Sequence, residues 1–134
     1  MVRDRTQPLL GCRVLVVEDE YFLADDLRSE LEAQGAKVIG PVGNLSDARA
    51  LIERDGFDVA ILDINLHNEM AFILGDVLAR QNIPFLFATG YSAEVIPARF
   101  GHVIRWEKPY VGRQLLEDVG RLCIRKQVPT GETA

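Results

Sequence analysis

Asp63 closes a short apolar run, Asp58-Val59-Ala60-Ile61-Leu62, and a second run, Arg13 to Val17, ends in the acidic triplet Glu18-Asp19-Glu20. Two strand-like runs tipped with carboxylates predict a small acidic pocket that holds a divalent cation. At an effective dielectric of about 20, two carboxylates ~4 Å apart repel by roughly 4 kcal/mol, so a positive group must offset them. Lys108 and a hard cation are the candidates, and Mg2+ suits a site built only from oxygens. A carboxylate beside Mg2+, a hydroxyl and a lysine can accept a phosphoryl group. In that chemistry Asp63 is the nucleophile and forms an acyl phosphate. The cation and Lys108 neutralise phosphoryl oxygens, and the Thr89 hydroxyl bonds one of them. Lys108 is followed by Pro109, a candidate cis bond that would aim the amine into the pocket. Blander roles compete with each assignment. Glu20 is read as a solvent-facing carboxylate at a helix start, Thr89 could bond backbone, and Lys108 could be a surface lysine.

The elements that must position these residues alternate. Cys12 to Val17 is a continuous apolar run, as in a strand covered on both faces. Residues 20–34 carry Leu23, Leu27 and Leu31 on one helical stripe, ended by Gly35. Lys37 to Gly40 is a second strand. Asn44, with Asp47 three residues on, reads as a helix N-cap, and Ala48, Leu51 and Ile52 give that helix its buried face. Val59 to Leu62 is the third strand, and Met70, Ile73, Leu74, Val77 and Leu78 mark the third helix. Pro84 to Ala88 is the fourth strand. Ser92 begins a fourth helix that Pro97 cuts to about one turn. His102 to Arg105 is the fifth strand, and Val111, Leu115, Val119 and Leu122 stripe the last helix, weakened by Gly112 and Gly120.

This alternation predicts an α/β fold, a doubly wound five-stranded parallel sheet with five helices. In such sheets the site lies beyond the carboxyl ends of the strands. Glu18, Asp19, Asp63, Thr89 and Lys108 all fall there. Strand order 2-1-3-4-5 makes strands 1 and 3 neighbours, so Asp19 and Asp63 can approach one ion.

The chain has 134 residues, 48% of them hydrophobic and 26% charged, which suits one globular domain with a real core. We expect that domain at 11–125, with loosely ordered tails at 1–10 and 126–134. A net charge of −5 argues against nucleic acid as partner. No apolar run approaches the ~18–20 residues that span a bilayer, and no signal-peptide h-region is visible. A cytoplasmic location away from the membrane is therefore expected. Cys12 and Cys123 lack metal-type spacing and are read as two buried free thiols.

Taken together, Val16-Val17-Glu18-Asp19-Glu20, Ile61-Leu62-Asp63, Ala88-Thr89-Gly90 and Lys108-Pro109-Tyr110 resemble the receiver domain of bacterial two-component response regulators, over roughly residues 11–125. The resemblance implies a flavodoxin-like fold. It implies Asp63 as phosphoacceptor, Asp19 as a direct Mg2+ ligand, Glu18 as a ligand through water, and Asn65 as donor of a backbone carbonyl. Thr89 would be the switch hydroxyl and Lys108 the phosphate-contacting lysine. Phe87-Ala88-Thr89-Gly90-Tyr91 also resembles a stretch in a subgroup of alphaproteobacterial single-domain receivers. The partners implied are a histidine kinase or a histidine phosphotransfer protein, plus a downstream protein. The segments outside the domain are too short for an output module. Signalling would therefore run through protein contacts, and about residues 92–124 (fourth helix, fifth strand, fifth helix) form the surface expected to change and the candidate homodimer face.

Two departures stand out. The aromatic switch residue usual in receivers is replaced by Arg105, and strand alternation should point the adjacent Trp106 to the opposite face. The loop after the acceptor reads Asn65-Leu66-His67-Asn68-Glu69-Met70 instead of the usual Met-Pro pair and glycine, with His67 a solvated loop residue. Two other readings remain open. One is a pseudo-receiver, a binding module with a silent pocket. The other is a small Mg2+-dependent phosphatase with an aspartyl-phosphate intermediate, for which Asn65 is a poor general acid.

Overall fold

The computed structural model describes residues 7–54, 56–109 and 112–127. Its elements are β1 (Arg13–Val17), α1 (Tyr21–Ala33), β2 (Lys37–Val42), α2 (Leu45–Arg54), β3 (Val59–Leu62), β4 (Asn65–Leu66), β5 (Glu69–Met70), α3 (Phe72–Arg80), β6 (Phe85–Thr89), β7 (Arg105–Glu107) and α4 (Gly112–Gln127). Five strands pair in parallel in the order β2-β1-β3-β6-β7, which is the expected 2-1-3-4-5. Val17 lies opposite Leu62 in the β1–β3 register, so the residues that follow, Glu18 and Asp63, emerge side by side.

The sheet separates two cores. Alternate residues of β1 point to opposite sides: Leu15 and Val17 to the α2–α3 face, Val14 and Val16 to the α1–α4 face. Every residue of β3 and β6 is buried, as central parallel strands require. Leu27 and Leu31 of α1, Ala48 and Ile52 of α2, and Leu115 and Val119 of α4 fill the two layers as their spacing predicts. Asn44 caps α2, its Oδ1 accepting the Asp47 N–H at 2.9 Å.

Several expectations are corrected. The fifth strand begins three residues late, at Arg105, and His102 lies in a turn. Met70 belongs to the β4–β5 hairpin, not to α3, and is 44% exposed. The short fourth helix is present as expected, a single 3-10 turn at Ala93–Val95 with Ser92 at its N-cap, and a second 3-10 turn, Ala98–Phe100, follows Pro97. A cluster of Phe72, Phe85, Phe87 and Phe100 rings, with centroids 5.6–6.2 Å apart, packs beneath them, so aromatic area substitutes for a longer helix. Leu9, in the segment expected to be a loose tail, is buried and its N–H donates to the Gln34 carbonyl at 2.8 Å. Val111 and Tyr110 lie outside the described residues, as do 1–6 and 128–134.

The cysteines are not separate thiols. Cys12 and Cys123 form a disulfide with Cα atoms 6.2 Å apart, across a sequence separation of 111. That separation hides the pairing: α4 folds back over the start of β1, bringing Cys123 to Cys12. No helix among the described residues is long and apolar enough to cross a membrane.

Gly35 ends α1 with φ +95°. The N–H groups of Gly35 and Ala36 donate to the Glu32 and Leu31 carbonyls at 3.0 and 3.1 Å, a Schellman closure. A Cβ at Gly35 would sit 2.9 Å from Leu10 Cα. Gly35→Ala should therefore lower stability by about 1–3 kcal/mol, seen as a lower urea midpoint at unchanged slope. A change under about 0.5 kcal/mol, ordinary for a surface substitution, would mean the backbone there is not so constrained.

Candidate functional site

The carboxyl ends of β1, β3, β6 and β7 converge on one cavity of about 370 Å³, whose lining includes Asp19, Asp63, Asn65, Thr89, Tyr91 and Lys108. Asp63 follows β3, is buried, and its N–H donates to the Val17 carbonyl at 2.9 Å, which keeps the strand geometry one residue past the sheet. Glu18 is held likewise, its N–H on the Val42 carbonyl at 2.9 Å. Oxygens of Glu18, Asp19 and Asp63 lie within 4.8 Å of one another.

Lys108 follows β7, whose edge position lets the next residue turn back across the strand ends. Its N–H donates to the Thr89 carbonyl at 2.8 Å, and the Lys108–Pro109 bond is cis, as expected. Nζ lies 2.9 Å from Glu18 Oε1, 3.2 Å from Asp63 Oδ2 and 3.2 Å from Glu20 Oε1. The contact from Glu20 corrects the reading of that residue as merely solvent-facing. Its side chain is largely exposed, yet the carboxylate leans over the rim to the ammonium. The α1 N-terminus makes this reachable, since Glu20 sits at its N-cap without making a side-chain cap bond.

The backbone supplies the other donors. Glu18 Oε2 accepts the Glu20 N–H at 3.0 Å, and Asp63 Oδ1 accepts the Asn65 N–H at 3.3 Å. Asp19 Oδ2 accepts the His67 N–H at 2.9 Å. That contact comes from the β4–β5 hairpin, where Asn65 pairs with Met70 and Leu66 with Glu69. His67 (φ +47°) and Asn68 (φ +68°) form its two-residue turn, the type I′ geometry that hairpins favour. The loop after Asp63 thus does have its own shape. The His67 ring is mostly exposed, with Nδ1 3.6 Å from Asp19 Oδ2, so the backbone N–H makes the close contact. Asn68 was the available signal, being among the residues that tolerate left-handed backbone. Thr89 is fully buried, and its Oγ1 accepts the Tyr91 N–H at 3.1 Å.

Charge sets the character of the pocket. Three carboxylates contact one ammonium, and a fourth, that of Asp19, lies close to Glu18 and Asp63. Burial, with the Asp63 charge adding to it, pushes the Glu18 carboxyl from 4.5 up to about 7, against the opposing bonds from Lys108 and the Glu20 N–H. Burial alone would lower Lys108, but the Glu18 and Asp63 carboxylates outweigh it and hold the ammonium above its ordinary value. Such a set, all oxygen donors with surplus negative charge, fits a hard divalent cation. Cys12, Asp58 and Cys123 form another close grouping, but its sulfurs are bonded to each other and Asp58 Oδ2 accepts the Arg13 N–H at 2.8 Å.

On β7, Arg105 and Trp106 point to opposite faces as expected. Trp106 packs on the α1–α4 core and donates its indole N–H to Asp118 Oδ2 at 2.9 Å. Arg105 donates to the Tyr91 carbonyl and to Glu107 Oε1, each at 3.1 Å.

The raised Glu18 value has a stability consequence. Between pH 4.5 and about 7 the folded chain holds a proton on Glu18 that the unfolded chain has released, so this residue makes metal-free stability fall as pH rises through that window. Glu18→Gln should flatten this slope when urea midpoints are compared at pH 5 and pH 8 in a chelator. Equal slopes in both proteins would refute the assignment.

A family model described as response regulator receiver domain matches residues 14–100. Sensory transduction protein RegX3 of Mycolicibacterium smegmatis is 33% identical over 117 residues, covering 84% of this chain and 50% of that protein. Aerobic respiration control protein ArcA of Escherichia coli K12 is 34% identical over 83 residues, covering 61% of this chain and 34% of that protein. The chain thus spans about half or less of the length of these relatives. Among solved structures, SdrG from Sphingomonas melonis Fr1 matches with a TM-score of 0.73 and 34% identity, over 83% of this chain and 95% of that one. A CheY-like receiver domain protein from Methanospirillum hungatei JF-1 gives 0.76 and 25%, over 86% and 95%. With the family match covering most of the sheet and the topology agreeing with it, this chain belongs to the response regulator receiver domains of two-component signalling.

Proposed function

We propose that the chain is a phosphoacceptor: Asp63 takes a phosphoryl group from a phosphohistidine on a histidine kinase or histidine phosphotransfer protein. The observation that carries this reading is the Asp63 carboxylate, buried at the end of β3 yet opening on the pocket, with the Lys108 ammonium 3.2 Å from its Oδ2. An Asp63 oxygen attacks phosphorus, the P–N bond breaks, and the electron pair leaves on the imidazole nitrogen of the donor. Lys108 stays protonated throughout and turns from the carboxylates to the phosphoryl oxygens. The Thr89 hydroxyl, which now accepts the Tyr91 N–H, still has its own proton to donate to a phosphoryl oxygen.

Glu18, Asp19, Asp63 and the backbone carbonyl of Asn65 would hold Mg2+. When bound, the ion neutralises charge on the transferring phosphoryl group. Asp19 is half-buried at the pocket mouth, with one oxygen fixed by the hairpin and the other available. The output of the modified domain is protein–protein contact, and the face built from the 3-10 turns, β7 and α4 is the surface proposed to read it, including by pairing with a second copy. The chain's own chemistry is limited to gaining and losing its phosphoryl group.

Incubation with Mg2+ and acetyl phosphate should add one phosphoryl group by intact mass, labile to hydroxylamine and abolished by Asp63→Asn. Lys108→Met should slow the gain on the order of 10²-fold, the scale for losing one charge-stabilising donor. Modification that survives Asp63→Asn, or that needs no divalent ion, would overturn the proposal.

A further inference from the structure

Tyr91 is pinned on both sides of its Cα. Its N–H donates to Thr89 Oγ1 at 3.1 Å, inside the pocket, and its carbonyl accepts from Arg105 Nη1 at 3.1 Å, at the edge of the sheet. Gly90, just before it, has open space where a Cβ would be, so packing on the segment comes from the Tyr91 ring and the two bonds fix its backbone. Arg105 faces the loop because it lies opposite Phe87 in the β6–β7 register, on the face where the 3-10 turns stand in for a helix. The guanidinium is also held by Glu107 Oε1 at 3.1 Å. On the other side of the same strand, Trp106 is tied to Asp118 of α4.

From this we infer that Arg105 is a positioning residue that latches the Gly90–Tyr91 segment in its resting place and passes the state of the Thr89 hydroxyl to strand β7. The inference rests on the phosphoacceptor reading for its trigger. A phosphoryl group on Asp63 draws the Thr89 hydroxyl into the pocket and weakens the bond from the Tyr91 N–H. Tyr91 then keeps its ring packing on the α2–α3 core and the bond to its carbonyl, so Arg105 becomes the remaining hydrogen-bond anchor of its backbone. Any movement of Tyr91 pulls on β7, and Trp106 on the reverse face moves with it. The device needs no aromatic ring on β7: a charged fork on a backbone carbonyl couples loop to strand directly. Arginine suits this because one planar nitrogen, Nη1, presents two N–H bonds in fixed directions to Tyr91 and Glu107, whereas lysine carries its donors on a rotating head.

The test uses Arg105→Ala and Arg105→Lys in the full chain. Amide exchange at Tyr91 is measured in the unliganded protein, and Trp106 emission is followed as beryllofluoride with Mg2+ is added. With Arg105→Ala, Tyr91 exchange should speed up on the order of tenfold, the size of one charge-assisted hydrogen bond. The Trp106 response should be lost, while the rate of Asp63 modification by acetyl phosphate stays within about twofold, since Arg105 lies outside the pocket. Arg105→Lys should fall between wild type and alanine. A residue that only stabilises the fold would lower the unfolding midpoint and leave the beryllofluoride response of Trp106 intact. That result, or unchanged Tyr91 exchange, overturns the latch. If Arg105→Ala does not fold, the same two readouts on Arg105→Lys decide. If Asp63 takes no phosphoryl group, the phosphoacceptor reading fails separately, and Tyr91 exchange still decides whether Arg105 holds the loop.

Discussion

The ammonium of Lys108 among the carboxylates of Glu18, Glu20 and Asp63 is the contact on which the rest of the molecule depends. Parallel strands β1 and β3 must be neighbours to bury a common core, and their register forces two carboxylates out at the same level. Removing water from both is costly, and a cation brought from elsewhere in the chain offsets much of it, beside the backbone N–H donors. That cation arrives from beyond β7, two strands away from β3 in the sheet. The sheet order, the return of the chain after β7 and the charge of the pocket are therefore one constraint. The same contact leaves the pocket with more carboxylates than ammonium groups, a charge balance that suits a hard divalent cation.

The molecule distributes its stability unevenly around that constraint. The end of the sheet away from the pocket is closed by the Cys12–Cys123 disulfide, the buried Leu9 and the Arg13–Asp58 contact. The pocket end is built from loops: the β4–β5 hairpin, the Gly90–Tyr91 segment and two 3-10 turns. Loops held by single hydrogen bonds open at lower cost than core strands. The phenylalanine cluster under the 3-10 turns gives this end a packed aromatic base, with rings meeting edge to face.

Much of this was legible in the sequence where a local rule coincided with the tertiary result. β3 occupies the expected residues because a fully buried strand is one unbroken apolar run. α1 ends at Gly35 and α2 begins at Asn44 because caps are local chemistry. Asp19, Asp63, Thr89 and Lys108 meet because strand ends in a doubly wound sheet must. The misses have a common cause. His102 to Arg105 has no strong pattern, and the placement of β7 depends on pairing with Ala88 and Thr89 rather than on its own residues. Met70 fits a helical stripe by spacing, but the His67–Asn68 turn claims it for a hairpin. The disulfide, the burial of Leu9 and the reach of Glu20 to Lys108 link distant parts of the chain, so no window of sequence contains them.

Strand β7 shows why an edge is a good place to carry a signal. It has three residues, pairs with β6 on one side only, and alternates Arg105, Trp106 and Glu107 between the two faces. A central strand such as β3 is locked by two neighbours and two buried faces, and shifting it would disrupt both cores. An edge strand can shift against a single partner while the cores stay packed. Charged residues at an edge also discourage unwanted strand pairing with other chains, so Arg105 and Glu107 guard the edge while Arg105 also bonds the loop through the Tyr91 carbonyl. A strand with one face tied to the pocket loop and the other to α4 links those two surfaces. The edge position, more than the identity of any aromatic residue, makes that link mechanically feasible.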